Sequence, residues 1–60
     1  MKKCLKDVTK EEIDEGRVFL DTAFGPCQVC WINLDEWWVR VKSGRSFFCY
    51  PETTVLVKEV

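Results

Sequence analysis

The stretch from Trp37 to Pro51, Trp-Trp-Val-Arg-Val-Lys-Ser-Gly-Arg-Ser-Phe-Phe-Cys-Tyr-Pro, leaves this chain few folds to choose from. Val39 and Val41 alternate with Trp38, Arg40 and Lys42, and a period of two is the period of a β-strand. Ser43-Gly44 interrupts the run, and Gly44 can supply the positive φ of a tight hairpin turn. The return arm, Arg45 to Tyr50, is aromatic-rich again. Pro51 ends it, because proline has no N–H to give to a ladder. The rest of the chain must cover one face of this hairpin. The other face carries Trp38, Arg40, Lys42 and part of the return-arm aromatics, more apolar surface than a solvated face needs.

Thr9-Lys10-Glu11-Glu12 has the form of a capping box, with Thr9 as N-cap and Glu12 three residues on. One helical turn is expected over Lys10 to Glu15, with Ile13 inward and Gly16 as its stop. A turn this short holds only when docked. Arg17 to Asp21 reads as the first strand, with Val18 and Leu20 on one face and Phe19 on the other. Gly25-Pro26 punctuates a loop. Cys27 to Leu34 is a long, bent second strand with Val29 inward, and Asn33 to Glu36 supply the next turn. Trp37 to Lys42 and Arg45 to Tyr50 are strands three and four. Pro51 to Thr54 form a short 3₁₀ link, and Val55 to Glu59 the closing strand. Residues 1–8 are polar and lysine-rich; they either fray or pack Leu5 and Val8 across the end of the fold. Five short strands with one cap turn imply an all-β fold, a small barrel closed or nearly so, since a flat sheet leaves edges and one apolar face bare.

Sixty residues make one domain at most, here a segment 1–15 with the helical turn and a β-barrel over 16–60. A chain of this size buries only about 60% of its unfolded surface, so its stability margin is thin. Apolar residues are 47% and aromatics 13%, a composition that favours folding, since disordered chains are poor in aromatics and strongly charged. The net charge of −1 carries no global nucleic-acid signature. The charges are segregated, however. Residues 37–50 hold Arg40, Lys42 and Arg45 and no acid, while acids gather between Asp7 and Glu15 and at Asp35-Glu36. No apolar run approaches the ~18 residues of a membrane span. No apolar stretch follows Met1-Lys2-Lys3 as a signal peptide would require. A cytoplasmic setting without a membrane partner is expected, with its thiols reduced.

Four cysteines, Cys4, Cys27, Cys30 and Cys49, are enough for a tetrahedral zinc site, and Cys27-Gln-Val-Cys30 has a ligand-like spacing. That pair sits in a strand-like context. Residues three apart in a regular strand face opposite ways, so the two thiols diverge unless a bulge intervenes. The expected state is reduced cysteine packed as a small hydrophobe, with no metal.

The order of signals resembles the SH3-like small barrels, the group that includes Tudor and KOW modules. The carriers are Gly16-Arg17-Val18, Phe24-Gly25-Pro26 before Val29, Val39 through Arg45, and Tyr50-Pro51 ahead of a last apolar strand. The resemblance covers residues 16–60 and implies a five-stranded SH3-like barrel with one short N-terminal helical turn. Within that group the tail Phe47-Phe48-Cys49-Tyr50-Pro51 resembles the type II dihydrofolate reductases, which assemble around a shared pore. Tyr50 and Pro51 match their Val-Gln-Ile-Tyr pore motif and its following residue, while Phe48 stands where that motif has Gln. Tudor modules bind methylated side chains in an aromatic cage. The resemblance implies Trp37, Trp38, Phe48 and Tyr50 as walls and Asp35 or Glu36 as the acid.

The resemblance also bears on register. An odd loop centred on Gly44 sets Val41 opposite Phe47 and Val39 opposite Cys49, leaving Phe48 and Tyr50 beside Trp38. A loop of two or four residues exchanges the faces and puts Phe47 and Cys49 outside. The related barrels place apolar residues three and five after the glycine, which selects the odd register.

The chain has no histidine, which excludes His-based acid–base and triad chemistry. It has no glycine-rich phosphate loop. No catalytic residue and no cofactor are expected. The expected function is a non-enzymatic interaction module or small protein inhibitor. It would bind a protein partner through Trp38, Arg40, Lys42, Arg45, Phe48 and Tyr50, since Trp, Tyr and Arg are the usual interface anchors. The alternative is a nucleic-acid or nucleotide binder, in which the same aromatics stack on bases and the cations meet phosphates. A homo-oligomer would bury the patch in a second copy.

Overall fold

The computed structural model describes residues 1–59. Its strands are β1 (Lys2–Cys4), β2 (Val18–Thr22), β3 (Gly25–Asn33), β4 (Trp38–Val41), β5 (Ser46–Phe48) and β6 (Thr54–Val57). A 3₁₀ turn, Leu5–Asp7, and a helix, α1 (Lys10–Asp14), lie between β1 and β2. The strands form one antiparallel sheet in the order β1-β6-β2-β3-β4-β5.

Two expectations are corrected here. The sheet has six strands rather than five, and it does not close into a barrel: β1 and β5 are its two edges. The sixth strand is β1, drawn from the lysine-rich start. Its sequence hides it because an edge strand with one wet face tolerates charge. Lys2 is exposed, and the half-buried Lys3 sends its ammonium to the Glu12 carboxylate at 2.9 Å.

Leu5, Val18, Leu20, Val29, Val39, Cys49, Val55 and Val57 form one buried cluster, with Ile13, Ile32, Trp37 and Phe47 packed against it. Its members come from both halves of the sheet, so the sheet curls around a common centre. The long strand β3 belongs to both halves and makes the bend. Val29 pairs with Val41 but Trp31 pairs with Arg40, so Cys30 is an extra residue, a β-bulge. The bulge advances the strand phase by one. Val29 and Ile32 both turn to the core side, and Cys30 and Trp31 are both exposed.

Helix α1 forms as its ends specify. Thr9 and Glu12 make the reciprocal capping box. At the other end Gly16 takes φ +72°. Its N–H reaches Ile13 C=O at 3.0 Å and the Arg17 N–H reaches Glu12 C=O at 3.1 Å, the paired bonds of a Schellman stop. Glu12 is the hub of this end of the molecule. Its carboxylate accepts from Thr9 N–H and from Lys3 Nζ, both at 2.9 Å, and so ties α1 to β1. The Thr9 N–H first, and Lys3 second, hold its pKa down from 4.5 to about 2. A carboxyl depressed in the folded state contributes stability above its unfolded pKa and loses it as pH falls through the folded one. Acid titration should therefore destabilise the protein progressively from about pH 4.5 to about pH 2. Glu12→Gln, which can keep the cap geometry but cannot titrate, should flatten that slope in denaturant melts. An unchanged slope would show that other carboxylates carry it.

Candidate interaction face on β3, β4 and β5

Asn33 builds the turn that aims β4. Its side-chain oxygen accepts from Asp35 N–H at 2.9 Å and Glu36 N–H at 3.2 Å, and its C=O accepts from Trp37 N–H at 2.7 Å. Trp37 closes the turn at φ +60° and packs against the core, so Trp38 begins β4 on the opposite face. The β4–β5 loop is odd, Lys42-Ser43-Gly44, with Gly44 at φ +98° and Val41 N–H bonded to Arg45 C=O at 2.9 Å.

The pairing is Val39↔Phe47 and Trp38↔Phe48, two residues from the expected Val41↔Phe47 and Val39↔Cys49. The loop is odd but centred on Ser43, which moves the pairing by two. A two-residue shift preserves the faces, whereas a one-residue shift would exchange them. Val39, Val41 and Cys49 are accordingly buried, and Trp38, Phe48 and Tyr50 are exposed. These three rings form a row. Trp38 and Phe48 meet edge to face with centroids 5.6 Å apart, and Phe48 and Tyr50 do the same at 5.7 Å. Trp37 lies on the core side, so it does not join the other three around a common space.

Of the cations, Arg40 belongs to the face. Its guanidinium lies 5.7 Å from the ring centre of Trp31, across the β3–β4 pair. Arg45 leans instead over Phe24, at 4.2 Å, joining the tips of two neighbouring hairpins. Lys42 lies in the turn, where its N–H bonds to Gln28 C=O at 2.8 Å. Among the described residues the ion pairs are Lys3–Glu12 and Arg17–Glu15, so none of these three cations is matched by a carboxylate.

Trp31 is the residue that sequence reasoning missed. It is 49% exposed and extends the face beyond Trp38. In a regular strand it shares a side with Val29, and only the Cys30 bulge turns it out. The available signal was the spacing of Val29 and Ile32: both can face a core only if one residue between them is extra. Trp31 also lines a cleft of about 210 Å³ with Val8, Ile13, Cys30 and Leu34. That is below the ~300 Å³ of sites that enclose drug-sized ligands. A cleft of about 400 Å³ on the other half of the sheet is lined by Phe19, Pro26 and Leu56. The Lys58 ammonium lies 4.7 Å from the ring centre of Phe19.

The cysteines are free and dispersed: Cys49 buried, Cys4 and Cys27 half-buried, Cys30 exposed. Only Cys49 fully fits the expectation of a buried hydrophobe, and burial pushes its thiol pKa up. Cys30 is the bulge residue, its thiol 3.4 Å from Arg40 C=O. Among the described residues no three His, Cys, Asp or Glu side chains are placed to hold a metal ion. Iodoacetamide should modify Cys30 first and Cys49 last, the latter only as fast as the protein unfolds. Mass spectrometry of timed digests measures this order, and early labelling of Cys49 would contradict the packing described.

Among the described residues no helix is long and apolar enough to cross a membrane. Comparisons with protein-family models, with curated proteins and with solved structures found no match.

Proposed function

We propose that this protein is a non-enzymatic interaction module built on an open six-stranded sheet with an SH3-like strand order, and that it binds a protein partner through the outer face of β3, β4 and β5. The carrying observation is the exposed row Trp38–Phe48–Tyr50, extended by Arg40 and Trp31. Large rings with an arginine among them are the side chains that anchor protein interfaces, and a monomer gains nothing by leaving them in water. The return of β6 to β2, ahead of the β2-β3-β4-β5 meander, supports the SH3-like strand order, with β1 as an added edge and the sheet left open.

Two features favour a protein over a nucleic acid. Arg40 and Arg45 lie against the rings of Trp31 and Phe24, surfaces a base would need. The Trp38, Phe48 and Tyr50 rings meet at 61° and 70°, so they make a ridged surface rather than parallel stacking platforms. The three unmatched cations favour a partner with acidic side chains beside apolar ones.

The test is photo-crosslinking from a benzophenone side chain placed at Tyr50. A protein adduct is expected that disappears when Trp38→Ala is added and survives nuclease treatment. Its affinity should fall less than about tenfold between roughly 0.05 and 0.5 M salt, a range over which phosphate-driven binding collapses. A nuclease-sensitive adduct would favour the nucleic-acid reading instead.

A further inference from the structure

The free edge of β5 adds a second recognition element, made of backbone. In the β4–β5 ladder, Val41 N–H bonds to Arg45 C=O and Cys49 N–H to Trp37 C=O, both at 2.9 Å. Alternate residues of an antiparallel strand turn their N–H and C=O to opposite sides. Arg45, Phe47 and Cys49 therefore face β4, and Ser46 and Phe48 turn theirs outward. Strand β5 is last in the sheet, so no neighbour among the described residues meets these groups. Tyr50 would continue the row, but its N–H goes to Thr53 Oγ1 and its C=O accepts from Thr53 N–H, each at 3.0 Å. The open stretch is thus two donors and two acceptors, on Ser46 and Phe48. Natural edges are commonly blunted by lysine, proline or a bulge. Edge strand β1 carries Lys2 and Lys3, whereas β5 reads Ser-Phe-Phe and is blunted by its shortness alone.

We propose that this edge takes up an extended, acidic peptide segment as a seventh strand, with a carboxylate beside Ser46 and an aliphatic side chain beside Phe48. The inference rests on the protein-binding reading of the adjoining face. Ser46 pairs with Arg40, so a carboxylate opposite Ser46 lies two strand spacings from Arg40, about 9.5 Å. The guanidinium lies over Trp31, on the β3 side of β4, so it must leave that ring and swing across the small Ser46 to meet the carboxylate. Phe48 is 58% exposed and offers its ring to the next residue on the same face. Arg40, Lys42 and Arg45 lie within or beside this ladder and have no carboxylate partner among the described residues, which selects an acidic strand. A second copy docking edge to edge would bring the same unmatched cations together, and like charges across a sheet repel. A two-residue edge also falls well short of the ~800 Å² per partner of a stable dimer, as suits a peptide-sized occupant.

The probe is the end-blocked peptide Gly-Ser-Thr-Leu-Val-Glu-Thr-Ser-Gly, which in antiparallel pairing sets Glu against Ser46 and Leu against Phe48. Amide shifts and hydrogen exchange of the labelled protein are followed by NMR up to millimolar peptide. Saturable shifts and slowed exchange are expected at the Ser46 and Phe48 amides. N-methylation of the peptide at Leu and Glu removes the donors that face β5 and should weaken binding at least about tenfold, as the loss of two backbone hydrogen bonds implies. N-methylation at the intervening Val, whose N–H points away, should change it less than about threefold on the same argument. Glu→Lys in the peptide should also weaken binding. Equal tolerance of both methylation patterns overturns the inference, even if Trp38→Ala still weakens binding and the face reading stands. Sensitivity to Leu and Glu methylation without sensitivity to Trp38→Ala sustains the edge and removes the face. The proposal also fails if neither amide shifts, or if both shift with protein concentration alone, which would identify a second copy as the occupant.

Discussion

Leu5→Ala is expected to cost about 3 kcal/mol of folding stability, within the range for emptying a fully buried leucine site. Leu5 is 0% exposed and sits in the same cluster as Val18, Val29 and Val57. The chain around it is tied down on both sides. Leu5 N–H bonds to Thr53 C=O at 2.8 Å and Lys6 N–H to Pro51 C=O at 3.1 Å. The 3₁₀ turn is thereby docked on the turn between β5 and β6, and a cavity there cannot be filled by simple sliding. A domain of this size has a total of roughly 3–9 kcal/mol, so the loss is a large share of it. Thermal melts followed by circular dichroism should shift by roughly 20–25 °C. Lys6→Ala, one residue on and exposed, should shift them by only a few degrees. Equal shifts for the two would mean that the N-terminal segment is not part of the core.

The elements that were legible in the sequence are those whose signal is local. The capping box at Thr9 and Glu12 and the stop at Gly16 are satisfied within a few residues, and α1 lies where they put it. The alternation from Trp38 to Val41 and the break at Gly44 decide the two faces of the β4–β5 hairpin, whatever the exact pairing. The features that escaped depend on distant partners. Strand β1 is made by its hydrogen bonds to β6 and by the Lys3–Glu12 ion pair, and nothing within residues 1–5 announces either. The open edge follows from that: β1 occupies the free side of β6, and β5 is left without a second neighbour. The bulge at Cys30 is of the same kind. It reconciles Val29 and Ile32 with one core, and Trp31 is exposed as a consequence. The exposed aromatic face was therefore legible in its β4–β5 half and hidden in its β3 half.

The adjacent tryptophans should respond to substitution in opposite ways, and Trp37 should do so in an unusual order. Trp37 packs against the core at φ +60°, a conformation that costs a bulky L-residue roughly 1–2 kcal/mol. Its N–H and C=O hold the turn to Asn33 and the chain to Cys49, so the strain is imposed by the fold. Trp37→Ala removes the packing and keeps the strain, and should destabilise the protein by about 3 kcal/mol. Trp37→Gly removes both, and should be the milder change by about 1 kcal/mol, although glycine is normally the worse residue in ordered backbone. Trp38 is 40% exposed and meets Phe48 in an edge-to-face pair. Trp38→Ala should cost less stability than Trp37→Ala, about 1–2 kcal/mol for its partial burial and its ring pair, while costing about 2 kcal/mol or more of binding if the ring is an interface anchor. Denaturant melts of the three variants, with binding measured on those that remain folded, separate the two roles. If Trp37→Gly proves more damaging than Trp37→Ala, the left-handed turn is not strained. If Trp38→Ala unfolds the protein, the exposed row is part of the core and the binding face must lie elsewhere.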